Sequence, residues 1–129
     1  DTMQTTLTEA LESLWQAAAD FPRLTLVGAS GTFDVIASMH TPSRKRHAKR
    51  YEIIGADFFL QQVYQKLISS TYDERIAMHD LPPTRAKLIV GVIILIRLVI
   101  QRLNIQNLAV SDYALREGCA WELLHPTNS

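Results

Sequence analysis

The spacing of hydrophobic residues divides most of the chain into amphipathic helices. A period near 3.6 residues predicts a first helix over Thr8–Ala19 and a second over Gly55–Ser69. A third, longer helix is predicted over Arg85–Leu103, with Thr84 as its cap. Its predicted buried stripe consists of Leu88, Val92, Leu95, Val99 and Leu103. The pattern therefore indicates a chain built mainly from packed helices.

Shorter elements fill the segments between these helices. Thr71–Leu81 is predicted as a short helix before a pair of prolines, and Tyr113–Leu124 as a last helix interrupted or ended early by Gly118. The apolar run Leu24–Val27 is typical of a strand covered on both faces, and Asn107–Val110 of a brief strand. The sequence thus predicts a helix-rich α/β fold.

So few strands are unusual for a free-standing α/β domain with this many helices. A two-stranded parallel sheet offers little surface on which to pack them. We therefore expect that the chain either pairs with another unit or forms the latter part of a larger sheet.

Composition narrows the class of protein. The 129 residues suit a single folded domain, with 47% hydrophobic and 20% charged residues. Thirteen basic side chains balance thirteen acidic ones, so the net charge favours neither nucleic acid nor an anionic membrane. The longest apolar run, Leu88–Ile100, contains Arg97 and is too short to span a bilayer. The only cysteine, Cys119, is predicted to be buried and fits a reducing cytoplasm.

A glycine-rich segment carries the strongest candidate chemistry. Residues 27–33 read Val-Gly-Ala-Ser-Gly-Thr-Phe, between an apolar run and a predicted helix that continues to about Met39. Gly28 and Gly31 leave the backbone open to close approach, and a helix N-terminus attracts anions. In the alternative interpretation the glycines only turn the chain, and Thr32 or Asp34 caps the helix. Both interpretations remain open from these residues alone.

A basic run is the second candidate feature. Five cationic side chains lie in a polar connection: Arg44, Lys45, Arg46, Lys49 and Arg50. A long polyanion would be attracted to such a run, although the run is also typical of a solvated loop. No aromatic residue is interleaved with these charges, which makes nucleic acid a weaker candidate.

Three segments, in this order, resemble one family. They are residues 27–33, then Pro-Thr-Arg-Ala at 83–86 with the apolar helix that follows, then Val-Ser-Asp-Tyr-Ala-Leu-Arg-Glu-Gly at 110–118. Together they resemble the exopolyphosphatase / guanosine pentaphosphate phosphohydrolase family of the actin-like ATPase superfamily. The Ser-Asp-x-x-Leu-Arg-Glu-Gly pattern is the most specific of the three.

This resemblance implies a two-lobed hydrolase with a ligand cleft between ribonuclease-H-like lobes. Such enzymes cleave terminal phosphoanhydride bonds of polyphosphate or guanosine pentaphosphate with a divalent metal such as Mg²⁺. The family's first phosphate loop, catalytic glutamate and Asp-x-Gly-Gly-Gly-Ser loop have no counterpart here. Residues 1–129 therefore resemble one domain, the C-terminal portion of the second lobe. The resemblance implies these phosphate-binding residues: Gly28, Ser30, Gly31, Thr32 and Arg116.

The same resemblance assigns no catalytic residue and no metal ligand to this chain. We expect the chain alone to be inactive and to require the first lobe and the N-terminal part of the second, with a homodimer as a further candidate partner. Arg116 contacts ligand or pairs with Asp112 or Glu117, and Arg85 orients the long helix or contacts ligand. A non-catalytic module that senses a phosphorylated metabolite, and a helical docking domain, are the alternative functions.

Overall fold

The computed structural model describes residues 2–29, 31–41, 51–79, 81–111 and 115–125, and of residues 51 and 115–118 only the backbone. Its helices are α1 (Thr2–Ala10), α2 (Glu12–Ala18), α3 (Gly31–His40), α4 (Ala56–Phe58), α5 (Gln65–Ile68), α6 (Tyr72–Ile76), α7 (Ile89–Arg102) and α8 (Leu115–Leu124). A π-helical segment, Phe59–Tyr64, joins α4 to α5, and Pro83–Arg85 forms a 3₁₀ turn before α7. No helix among these residues has the length and apolar character needed to cross a membrane.

Three strands form a small mixed sheet. They are β1 (Leu26–Ala29), β2 (Tyr51–Gly55) and β3 (Asn107–Ser111), in the order β1-β3-β2. β1 pairs with β3 in parallel, and β2 pairs with β3 antiparallel. The helix-rich α/β fold class is thus confirmed. Strand β2 was not predicted, because its residues directly follow a polar, basic segment and are too few to show a clear alternation.

The two faces of the sheet differ in burial. Alternation along paired strands places Leu108 and Val110 of β3 on one face with Ile54 of β2, and all three are buried. On the opposite face, Val27 of β1 is 65% exposed and Ile53 of β2 is also exposed. The helices therefore cover one face in the described part of the chain. The prediction that the first strand is covered on both faces is wrong, and that strand begins later, at Leu26.

The core lies between the covered face of the sheet on one side and helices on the other. These helices are α3, α7 and the helical segments from α4 to α5. Its fully buried side chains include Ile36, Ile54, Phe59, Val63, Leu67, Ile89, Ile93, Leu108 and Val110. Burying such aliphatic and aromatic side chains stabilises the fold by about 1.5–3 kcal/mol each. The core thus fixes the end of β1 and the start of α3 against the rest of the domain.

The long helix buries a different face from the predicted one. Its buried residues are Ile89, Ile93, Ile94, Ile96 and Ile100, whereas Leu88 is 71% exposed. Because almost every residue in this stretch is apolar, periodicity cannot select the face that packs. The helix also begins later, at Ile89, because Pro82 and Pro83 lead into a 3₁₀ turn; Thr84 lies inside that turn and does not cap the helix.

Several other predicted bounds change. The first predicted helix consists of two helices, α1 and α2, separated at Leu11. The Trp15 indole N–H donates to the Thr8 carbonyl at 3.0 Å across this break. The helix predicted before the prolines ends at Ile76, and α8 continues through Gly118 to Leu124. Cys119 is exposed rather than buried, because it lies on this terminal helix at the surface.

Candidate functional site

Gly31 marks the point where the chain leaves β1 and enters α3. Its φ of +52° is a backbone conformation that residues with a Cβ rarely adopt, so a glycine is suited to this position. A Cβ placed on Gly31 would lie 2.9 Å from Nη1 of Arg85. The Arg85 guanidinium therefore lies directly over the start of α3. It occupies space that a side chain at position 31 would otherwise fill.

Two positive features converge at this point. The first backbone N–H groups of a helix lack intrahelical acceptors, and the helix dipole adds positive potential there. The Arg85 guanidinium is exposed and, within the described ranges, no side chain forms an ion pair with it. A cation beside a helix N-terminus favours an anion that bridges the two. The start of α3 beside Arg85 is therefore a candidate site for an oxyanion.

An open cavity of about 550 Å³ adjoins this point. One wall is α3, which contributes Gly31, Asp34, Val35 and Ser38. The facing wall comes from the chain between α6 and the 3₁₀ turn: Ile76, Met78, His79, Leu81, Pro82, Pro83 and Arg85. The volume suits a ligand larger than a single phosphate group, and the wall residues combine apolar surface with a few polar groups.

The structure brings some of the predicted site residues together and separates others. Gly31 lines the cavity, and Thr32, which is buried, lines an adjacent groove that also contains Arg85. Gly28 lies inside β1, where a Cβ would overlap the Phe33 ring. The sequence suggested that the Gly28 backbone is open to a ligand, but the Phe33 ring fills that space. Gly28 does not line the cavity.

The remaining predicted residues stay predictions. Ser30 and the basic run (Arg44, Lys45, Arg46, Lys49 and Arg50) lie outside the described residues. Arg116 is the second residue of α8, and its side chain is likewise outside the description. From the sequence, Arg85 was open between orienting the long helix and contacting ligand, and Asp34 was considered only as a helix cap; the structure places both at the cavity.

The described residues do not fit a metal centre. Among them, no three His, Cys, Asp or Glu side chains lie close enough to hold a metal ion. Asp34 is the carboxylate that the described cavity wall provides. No set of magnesium ligands is therefore assigned among the described residues.

Comparison with known proteins identifies this helix-rich α/β unit as part of an actin-like ATPase lobe. Residues 1–127 match the model of the Ppx/GppA phosphatase family, and the chain belongs to that family. The family resemblance seen in the three sequence segments is confirmed. A search of curated proteins returned no match.

Several solved structures are similar to the chain, among them the following two. An exopolyphosphatase from Cytophaga hutchinsonii superposes with a TM-score of 0.87 at 27% identity, over 98% of this chain and 42% of that protein. A Ppx/GppA family member from Aquifex aeolicus superposes with a TM-score of 0.76 at 19% identity, over 99% of this chain and 41% of that protein. The chain thus spans about two fifths of the length of these relatives.

Proposed function

We propose that the complete protein containing this chain hydrolyses terminal phosphoanhydride bonds of polyphosphate or guanosine pentaphosphate. In this proposal residues 1–129 are the C-terminal portion of the second lobe and supply a phosphate-binding loop at the start of α3. Membership of the Ppx/GppA phosphatase family and the similarity to a protein described as an exopolyphosphatase support the reaction class.

One observation carries the proposal for the site, namely the Arg85 guanidinium above Gly31 at the helix N-terminus. A terminal phosphate held there would accept hydrogen bonds from backbone N–H groups at the start of α3 and from the guanidinium. Phosphoryl transfer depends mainly on positioning and on electrostatic stabilisation of the phosphoryl oxygens. Residues that neutralise those oxygens would therefore contribute both to binding and to the rate.

The remaining chemistry is assigned to the rest of the protein. An attacking water needs a carboxylate that orients it. The only carboxylate in the described cavity wall is Asp34, which lies at the start of α3 beside the proposed phosphate site. It does not face that site from a separate lobe. We propose that the catalytic carboxylate and the ligands of a magnesium ion lie outside this chain. It follows that the chain alone would bind phosphate without turning it over. The single cysteine fits a reducing compartment, so the proposed location is the cytoplasm.

The test compares the complete protein with its Arg85→Gln variant on polyphosphate and on guanosine pentaphosphate, with release of inorganic phosphate as the readout. A charged hydrogen bond is worth about 1.5–3 kcal/mol, so kcat/KM should fall about tenfold to 100-fold. Arg102→Gln is the control, because Arg102 lies over the Trp15 ring and away from the cavity.

The outcomes separate the candidate functions. Phosphate release that depends on Arg85 supports the hydrolase. Binding of either ligand without release by the complete protein would instead support a sensor of phosphorylated metabolites. Equal kcat/KM values in Arg85→Gln and the unmodified protein would contradict the proposed site.

A further inference from the structure

The facing wall of the cavity is a loop whose two ends are tied together by one side chain. This cavity loop comprises residues 76–85, of which residue 80 lies outside the described residues. Arg85 is the last residue of the cavity loop. Arg75 immediately precedes the loop in the chain, and Ala86 immediately follows the loop.

Arg75 joins these ends through charged hydrogen bonds. Its Nε donates to the Ala86 carbonyl at 2.8 Å, across the base of the cavity loop. Its Nη1 donates to the Ser70 carbonyl at 2.7 Å and lies 3.3 Å from the Ser70 hydroxyl. The side chain is half-buried and Ala86 is fully buried, so water competes weakly for these bonds.

The anchor from which Arg75 reaches is itself fixed. Thr71 and Glu74 form a capping box at the start of α6, with each side chain bonded to the other residue's backbone N–H. The Ser70 hydroxyl donates to the Leu67 carbonyl at 2.6 Å, at the end of α5. A continuous set of hydrogen bonds thus runs from α5 through Arg75 to the residue that follows Arg85.

We propose that Arg75 is a positioning residue for the oxyanion site. By holding the Ala86 carbonyl it closes the cavity loop and presents the Arg85 guanidinium above Gly31. Arg75 does not line the cavity, so its influence on a ligand passes through Arg85. The inference rests on the proposed function only in taking Arg85 as a phosphate contact.

The first test measures binding of tripolyphosphate to the complete protein by calorimetry, together with KM and kcat for polyphosphate hydrolysis. Arg75→Gln should weaken tripolyphosphate binding by about tenfold, since residues in one hydrogen-bonded network couple on this scale. The loss should appear in both KM and kcat, because the guanidinium that Arg75 positions is proposed to contribute to binding and to the rate. Arg75→Lys should recover part of the loss, because an ammonium can reach one of the two carbonyls but cannot donate through a fork to both.

A double-mutant cycle separates positioning from a general structural role. In an Arg85→Gln background, Arg75→Gln should change tripolyphosphate affinity by less than twofold, because the group that it positions is gone. Thermal melts of all variants check that they are folded. If Arg75→Gln does not fold, Arg75→Lys replaces it in the double-mutant cycle. Arg102→Gln is the control for loss of a cationic charge.

Two results would overturn the inference while leaving the site intact. One is unchanged affinity in both Arg75 variants when Arg85→Gln alone weakens binding. The other is an equal loss from Arg75→Gln in both backgrounds, which would make its effect independent of Arg85. If Arg85→Gln itself leaves tripolyphosphate affinity unchanged, the proposed phosphate site fails, and the role of Arg75 fails with it.

Discussion

Adding a methyl group at Gly31 is the most direct perturbation of the site. Gly31 has a φ of +52°, and a Cβ there would lie 2.9 Å from Nη1 and 3.4 Å from Cζ of Arg85. In Gly31→Ala the backbone must therefore accept an unfavourable conformation, and the flexible end of Arg85 must move away from the helix start.

The two effects have different sizes and different readouts. A residue with a Cβ in the left-handed region costs roughly 1–2 kcal/mol, which should appear as a lower free energy of unfolding. Displacement of the guanidinium removes a charged hydrogen bond worth about 1.5–3 kcal/mol from any bound phosphate. Tripolyphosphate affinity should therefore fall about tenfold to 100-fold, beyond the change in stability.

Two further variants separate these effects. Asparagine tolerates the left-handed region better than alanine, so Gly31→Asn should lose less stability but still displace Arg85. Gly91→Ala is the matched control: a Cβ at Gly91 meets nothing within 4 Å, so the variant should gain about 0.5–1 kcal/mol of stability and bind normally. Calorimetry on the complete protein and chemical denaturation provide the two measurements. Wild-type tripolyphosphate affinity in both Gly31 variants would refute the reasoning.

Two predictions concern stability rather than binding. Gly28→Ala should lower the free energy of unfolding by about 1–3 kcal/mol, because its Cβ would overlap the Phe33 ring; an unchanged denaturation midpoint would contradict this. Hydrogen bonds from the Thr71 backbone N–H and then from its side chain hold the pKa of Glu74 below its usual 4.5. Because the folded-state pKa is the lower one, Glu74 stabilises the fold above pH 4.5, and this contribution is lost as the pH falls through the lowered pKa. Melting temperatures of Glu74→Gln should accordingly depend less on pH in this range, and profiles parallel to the wild type would exclude the effect.

Local signals sufficed where neighbouring residues decide the conformation. The glycine-rich turn after an apolar run predicted the entry into α3, and the brief strand predicted over Asn107–Val110 matches β3 almost to its last residue. Three short motifs in order were enough to identify the family. The turn and the strand depend on backbone sterics and on side chains a few positions apart, which a sequence displays directly.

The remaining features depend on residues that are distant in the chain. The face that α7 buries is chosen by the shape of the sheet and its partner helices, since the helix is apolar nearly all round. Gly28 illustrates the same limit, because a glycine that admits a ligand and one that admits the Phe33 ring look identical in a sequence.

The amino-acid sequence was enough to predict the α/β class and the glycine at the entrance of α3, because both follow from short-range geometry, and its three motifs were enough to recognise the family by resemblance. Only the tertiary structure placed Arg85 over Gly31 and tied its loop with Arg75. That arrangement requires packing of α3 against the segment before α7, and such packing depends on complementary shapes that no local pattern encodes.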